Sequence, residues 1–407
     1  MLIARRGLLG GAAMAASLPV VRARGQTPGI KIGVLGDQSG MYRDLSGPVA
    51  IAAVKLAVAD SKAAGRDIPV EIVSGDHQNK PDVAAALARQ WIQRDGVDMI
   101  TDTPNSAVAL AVAAVCKELD KAFVNSPAAT ADLTGPQCAP TTVHWTMDTW
   151  MLAHSTGGAM VKAGGDSWFF ITADYAFGHA LERDTSNFVK QAGGKVLGNV
   201  DAPTGSSDFS SYLIQAQASG AKVLGLANAG TDTINSIKQA KEFGVSSKMK
   251  LAGLLLFITD IHSLGLDIAQ GIVLTDSFYW DMNDRARAFS NRFSPKIGGA
   301  RPTMVQAGVY SSVLHYLKTA TAMGADKVKL DGAATVARMK QIPTDDDCFG
   351  PGSIRDDGRK LHPAYLWEVK KPTESKGPWD YYKPLATTPA DQAFRPMDKG
   401  GCPLVKS

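Results

Sequence analysis

The chain lacks most of what would mark an enzyme, a metal site or a nucleic-acid partner. It has no G-x-x-x-x-G-K-[ST] phosphate loop, no H-E-x-x-H helix and no G-x-S-x-G elbow, and Gly33, Gly36 and Gly40 miss the G-x-G-x-x-G spacing of a dinucleotide turn. Its seven histidines, at 77, 144, 154, 179, 262, 315 and 362, never pair at i,i+3 or i,i+4, so no helix offers two of them to one ion. Neither cofactor nor metal is expected. Cysteines are few: Cys116, Cys138, Cys348 and Cys402, with no Cys-x-x-Cys among them. Four thiols in an oxidising compartment allow three pairings, and the expected one is Cys116–Cys138 with Cys348–Cys402.

Long apolar runs are also missing beyond the N-terminus, where Leu8–Val21 is too short to span a bilayer comfortably. With the basic pair Arg5-Arg6 before it and a small-x-small site near Ala23, residues 1–25 read as an export signal. The adjoining arginines resemble a twin-arginine signal, with general secretion as the alternative. Removing residues 1–25 lowers the 43 basic residues to 39, equal to the 39 acidic ones. The mature chain is therefore formally neutral, which removes the electrostatic case for nucleic acid or an anionic membrane as partner.

From Ile30 onward, short β-branched runs alternate with helical patterns, as in a parallel sheet covered by helices. The first series has strands at 30–36, 68–76, 97–101 and 122–126. The second has strands at 167–172, 195–200, 222–228, 249–253 and 271–280, with helices between. The fold class expected is α/β, with two doubly wound, Rossmann-like lobes. The tail from Pro343 is rich in Pro, Gly, Asp and Lys, and only 364–370 reads as a strand. Its aromatic stretch 374–383 reads as a surface segment packing rings on a lobe.

The most informative stretch follows the fourth strand. In Phe123-Val-Asn-Ser-Pro-Ala-Ala-Thr-Ala-Asp-Leu-Thr134, Ser126, Thr130 and Thr134 bring hydroxyls, Ala128 and Ala129 keep side chains clear, and Pro127 directs the chain. Such a loop is either a hydroxyl-capped strand-to-helix turn or an anion site. In wording and position, "SPAATADLTG" resembles the carboxylate-binding loop of the periplasmic binding proteins for leucine, isoleucine and valine, the type I solute-binding family of ABC importers.

That resemblance implies a three-segment hinge, with residues 26–147 plus 278–342 in the N-terminal lobe and 148–277 plus 343–407 in the C-terminal lobe. It implies a periplasmic carrier, monomeric by default, that closes over a ligand and presents it to an inner-membrane ABC permease without chemistry. Carried over position by position, Asn105 or Ser106, Ala128 and Thr130 would grip a carboxylate, with Ala129 beside them and Tyr175 closing from the second lobe. Tyr42 and Asn228 stand on other strand-end loops of the same kind, where open α/β sheets bind ligands. Segments 144–150 and 277–281 would carry the hinge, and Asp148 is either part of it or an acceptor for a ligand hydroxyl.

One departure from the family is informative. Where an amino-acid binder places an acid against the ligand's ammonium, this chain has Leu255, Leu256 and Phe257. An ammonium there would lack a partner unless Asp260 or Asp148 supplied it. The ligand expected is therefore an apolar carboxylate, aromatic by preference, with a branched-chain amino acid or amide as the alternative. Tyr42, Trp150, Phe257, Phe278 and Tyr279 are available to line its pocket, two of them in contact with ligand. From another class, an exported hydrolase would use Ser126 or Ser39, but no base is placed beside either.

Overall fold

The computed structural model describes residues 29–405, so the expected export signal at 1–25 lies outside the described residues. The first series runs β1 (Ile30–Gly36), α1 (Pro48–Ala63), β2 (Val70–Asp76), α2 (Pro81–Gln90), β3 (Met99–Asp102), α3 (Ser106–Glu118), β4 (Ala122–Asn125) and β5 (Thr142–His144). These strands form one parallel sheet in the order β2-β1-β3-β4-β5. Inner strands such as β3 and β4 are buried along their whole length, as expected where helices cover both faces.

The second series runs α4 (Thr149–Lys162), β6 (Ser167–Ala173), α5 (Ala176–Gln191), β7 (Lys195–Ala202), α6 (Ser210–Ala218), β8 (Val223–Ala227), α7 (Thr231–Glu242), β9 (Lys250–Gly253), α8 (Ile258–Leu264), α9 (Leu266–Ala269) and β10 (Val273–Asp276). Its parallel core has the order β10-β9-β8-β6-β7. Read from β6, this repeats the winding of the first sheet, so the two lobes are the same motif used twice.

The chain then returns to the first sheet. Four helices follow: α10 (Asp284–Phe293), α11 (Met304–Met323), α12 (Ala325–Leu330) and α13 (Gly332–Gln341). Of these, α11 packs on α1, β3 and β4. Thr303 caps α11 in a reciprocal box with Gln306. Finally β11 (Ala364–Val369) and β12 (Tyr382–Thr388) extend the second sheet antiparallel beyond β10. As far as β12 the chain thus passes between the sheets three times.

The tail departs from its sequence reading in three ways. Before reaching β11 it runs beside β5, where the His144 N–H donates to the Gly358 carbonyl at 2.9 Å and the Lys360 N–H to the His144 carbonyl at 3.0 Å. The segment around 344–361 therefore lies along the first sheet, because the otherwise unpaired edge of β5 needs partners. β12 is an unanticipated strand; its Pro384 and mostly exposed residues suit a sheet edge. The disulfide joins Cys138 to Cys402, with a sequence separation of 264, while Cys116 and Cys348 are buried free thiols. The expected pairs are thereby corrected. Cys116 faces the core under α3, and the chain's end folds back onto the loop after β4, where Arg395 donates to the Ala131 carbonyl at 2.9 Å. The aromatic stretch does pack on the second lobe, with Trp379 stacked on His262 at 3.9 Å.

Candidate functional site

In a sheet wound 2-1-3-4-5, the helices on either side of strand one lie on opposite faces, leaving a crevice at the strand ends. Each lobe has such a point, at β1/β3 and at β6/β8, and the strand-end loops of the two lobes face each other. The slot between them is lined by Tyr42, Leu45, Pro104, Pro127, Ala129 and Val305 from the first lobe. Tyr175, Phe177, Ala229, Leu255 and Phe257 line it from the second, and Met147 from the first crossing. The cleft is shut, with the Tyr42 and Tyr175 hydroxyls hydrogen-bonded to each other across it. The slot, mouth included, has a volume of about 310 Å³.

The hydroxyl residues Ser106 and Thr130, and Asn105 with them, do not line the slot themselves but stand one or two positions along the chain from Pro104 and Ala129, which do. Asn105 caps α3, its side-chain oxygen accepting from the Ala107 and Val108 N–H groups at 3.0 and 3.2 Å. Ser106 is the first helical residue, and the Thr130 N–H donates to its hydroxyl oxygen at 3.2 Å. The Thr130 hydroxyl in turn accepts from the Asp132 N–H at 3.3 Å. Both hydroxyls serve only as acceptors among the described residues, so each keeps a proton to donate. They stand at the N-terminus of a 13-residue helix, where the backbone dipole favours an anion. The Ala128 N–H, by contrast, is already engaged by the Asn125 side chain at 3.1 Å, which removes it from the expected grip.

The chain enters α3 under strain. Asp102 and Thr103 have φ of 77° and 62°, a region costing on the order of 1–3 kcal/mol for a residue with a side chain. Asn125 holds them there, its amide donating to the carbonyls of Asp102 (2.7 Å) and Thr103 (3.1 Å) and to the Thr103 hydroxyl (2.7 Å). Below, the buried carboxylate of Asp102 accepts from the Ser46 hydroxyl at 2.7 Å and the Gly47 N–H at 3.0 Å, and burial raises its pKa to about 7. His144 completes the frame. Its Nε2 bonds the Ala128 carbonyl at 2.6 Å, so that nitrogen carries the proton, and burial holds the ring's pKa well below its usual value.

Other expected residues are engaged elsewhere. Asp148 caps α4, accepting from the Met151 N–H at 2.8 Å, and faces the buried Arg359 at 3.5 Å. Trp150 stacks on His154 and meets Phe188 edge-on, filling the joint between α4 and α5. Both ends of the Asn228 amide bond within its own lobe, to Ser236 at 3.0 Å and Thr233 at 2.8 Å. None of the three lines the slot. Of the five aromatics offered for the pocket, Tyr42 and Phe257 line it. Trp150, Phe278 and Tyr279 do not. Asp260 accepts from the Phe257 N–H at 2.9 Å at the start of α8, which fixes it inside the second lobe.

Residues 29–378 match the sequence profile of a family described as periplasmic binding protein. The chain belongs to that family. Within it, the type I group of ABC transporters that resembles the branched-chain amino-acid-binding proteins is the one whose fold it shares. A periplasmic binding protein from Burkholderia mallei is 49% identical, covering 93% of this chain and 99% of that one, with a TM-score of 0.88. A branched-chain amino acid ABC transporter periplasmic ligand-binding protein from Burkholderia xenovorans is 38% identical, covering 92% and 99%, with a TM-score of 0.80. The same fold recurs at 20% identity, over 93% and 100% of the two chains and with a TM-score of 0.80, in a solute-binding protein from R. palustris in complex with benzoate.

For a solute-binding protein, the slot is the natural place for ligand, and its composition sets what fits. Sequence reasoning found the strand-end loops but missed Leu45, Met147 and Val305. Val305 arrives with α11, a return no local pattern announces. It also passed over Asp232, the acid in the first turn of α7. Asp232 is buried, its Oδ2 accepts from the Gly205 N–H at 3.0 Å, and its Oδ1 has no partner. Burial raises its pKa to about 6.

Proposed function

We propose that this solute-binding protein captures a small apolar carboxylic acid, aromatic by preference, in its inter-lobe cleft and hands it to an inner-membrane ABC permease without altering it. One observation carries the reading: two hydroxyls with free protons, Ser106 and Thr130, stand at a helix N-terminus on the loops whose Pro104, Pro127 and Ala129 line a slot that is apolar apart from the hydroxyls of Tyr42 and Tyr175. Charge-assisted bonds from such donors contribute roughly 1.5–3 kcal/mol each in a closed site. Burying one aromatic ring of roughly 150–250 Å² adds on the order of 4–6 kcal/mol. Together these support micromolar binding or better, near −8 kcal/mol.

An α-amino acid fits less well. Its ammonium would meet a lining in which Pro104, Pro127, Ala129, Leu255 and Phe257 supply no counter-charge. The two acids available for rescue, Asp148 and Asp260, are held by their own helix starts. The branched-chain reading stays as the second one because the B. xenovorans relative carries that description.

A thermal-shift screen of benzoate, short aliphatic acids, leucine and leucinamide separates the readings. Bound ligand raises the melting temperature with the logarithm of its excess over Kd. Benzoate should shift the protein and leucine should not; a strong leucine shift with none from benzoate would reverse the order of the two.

A further inference from the structure

We infer that Thr149 and Asp184, neither of which lines the slot, are positioning residues that set its width and so decide how thick a ring it admits. The inference rests on the proposed capture of an aromatic acid and names what makes the cleft select a flat one.

Thr149 is the first residue of α4, where the chain first crosses between the sheets. It holds the loop after β4 on both sides of Thr130. Its N–H donates to the Ala129 carbonyl at 2.6 Å, and its hydroxyl oxygen accepts from the Ala131 N–H at 3.4 Å. Ala129 is part of the slot wall. The Thr149 hydroxyl has a single proton, which it donates to Asp184 Oδ2 at 2.6 Å. An ionised carboxylate only accepts, so Asp184 fixes the rotation of that hydroxyl and leaves its lone pairs for Ala131. Thr149 and Asp184 are both buried, where such bonds are stronger than in water.

Asp184 belongs to α5, the helix that also starts the opposite wall. Tyr175 precedes α5, Phe177 lies in its first turn, and both line the slot. Asp184 follows Phe177 by seven residues, two helical turns along the same face. Beside it, Arg183 donates to Asp184 Oδ1 at 2.9 Å and approaches Asp132 of the loop after β4 at 3.9 Å. One helix therefore places both walls, that of the second lobe directly and that of the first lobe through Thr149. The gap between them is fixed by buried hydrogen bonds rather than by the lining side chains alone. A planar ring meets both walls, and a puckered one fits only if the loop moves.

The test measures by calorimetry the ratio of the affinities for benzoate and cyclohexanecarboxylate, which have the same charge and carbon skeleton but a flat and a puckered ring. Wild type should favour benzoate by about tenfold or more. Thr149→Val keeps the shape, loses the hydroxyl and should lower that ratio by about fivefold. Thr149→Ser keeps the hydroxyl and should hold the ratio within about twofold of wild type. Asp184→Ala should lower the ratio as Thr149→Val does, and the double variant should go no lower than Thr149→Val alone, because Asp184 acts through Thr149. A merely structural pair would lower the melting temperature and weaken both acids in proportion, which would overturn the inference while leaving aromatic-acid capture intact. Additive losses in the double variant, or equal wild-type affinities for the two acids, would overturn it too. If neither acid binds the wild type, the inference falls together with the reading beneath it.

Discussion

Tyr42 and Tyr175 touch through their hydroxyls from opposite lobes, joining the loop after β1 to the first residues of α5. Tyr42 is buried and Tyr175 half-buried there, and desolvation pushes both phenols well above their ordinary range, so the contact is between neutral groups at any physiological pH. A neutral hydrogen bond of this kind contributes about 1 kcal/mol, a factor of about five in an opening equilibrium. Tyr175→Phe keeps the ring and removes the tie. In small-angle scattering of ligand-free protein it should shift the population toward a more extended form, and saturating ligand should restore the wild-type profile. An unchanged ligand-free profile would show that the pair does not hold the cleft shut.

How far the sequence reveals this arrangement varies by element. The alternation of β-branched runs with 3.6-residue periodicity is local, and it marks most strands of both parallel cores. β5 escapes because its three residues follow a proline- and cysteine-containing loop with no apolar run of their own. The Cys138–Cys402 bond escapes because pairing depends on where the two ends of a long excursion meet, which spacing does not encode. At the candidate site, the loops after β3 and β4 are legible because hydroxyl and small residues at a strand end have a chemical reason to be there, and their Pro104, Pro127 and Ala129 line the slot while Ser106 and Thr130 do not. Asp232 is not, since an acid in a helix's first turn reads as a simple cap and only the fold buries it with one oxygen unpartnered.

The disulfide gives a second prediction. It closes a loop spanning a separation of 264 residues, and in the chain-entropy account so large a loop stabilises by roughly 5 kcal/mol. It also clamps the chain's end behind the turn at 131–134 that follows Thr130. Cys402→Ser should lower the denaturation midpoint and, if the loop after β4 holds the ligand as proposed, weaken ligand binding as well, because that loop loses its backing. Cys348→Ala removes a buried free thiol and should leave the disulfide, measured by mass spectrometry after alkylation, intact. Detection of a Cys348–Cys402 bond in the wild type would contradict this connectivity.

Thr130 makes a third. Its hydroxyl oxygen accepts from the Asp132 N–H and its proton is free. Thr130→Ser retains both roles and should change benzoate affinity by less than about threefold. Thr130→Val keeps the shape but loses them, and should weaken binding by about tenfold or more, in line with the loss of one hydrogen bond to a charged group. Calorimetry on the two variants decides the matter. Equal affinities would place the carboxylate elsewhere in the cleft.

The fourth concerns Lys360, which is fully buried with its ammonium unpartnered, 4.5 Å from the Phe349 ring and 5.7 Å from that of Trp145. Burial lowers its pKa to about 8, against the pull of Asp346. An unfolded lysine titrates near 10.4, so between these values the unfolded chain holds a proton that the folded one has released. Stability therefore rises with pH from about 8 toward 10.4. Below pH 8 the full penalty applies, on the order of 3 kcal/mol, partly offset by the two aromatic faces. Lys360→Met, similar in length and uncharged, should be more stable than wild type at pH 7. Its advantage should shrink by about 2 kcal/mol between pH 8 and 9.5, measured as the difference between urea unfolding curves of the two proteins. Taking the difference cancels the tyrosines and cysteines that titrate in the same range. An advantage that stays constant across that window would mean Lys360 releases its proton no more readily in the folded protein than in the unfolded chain.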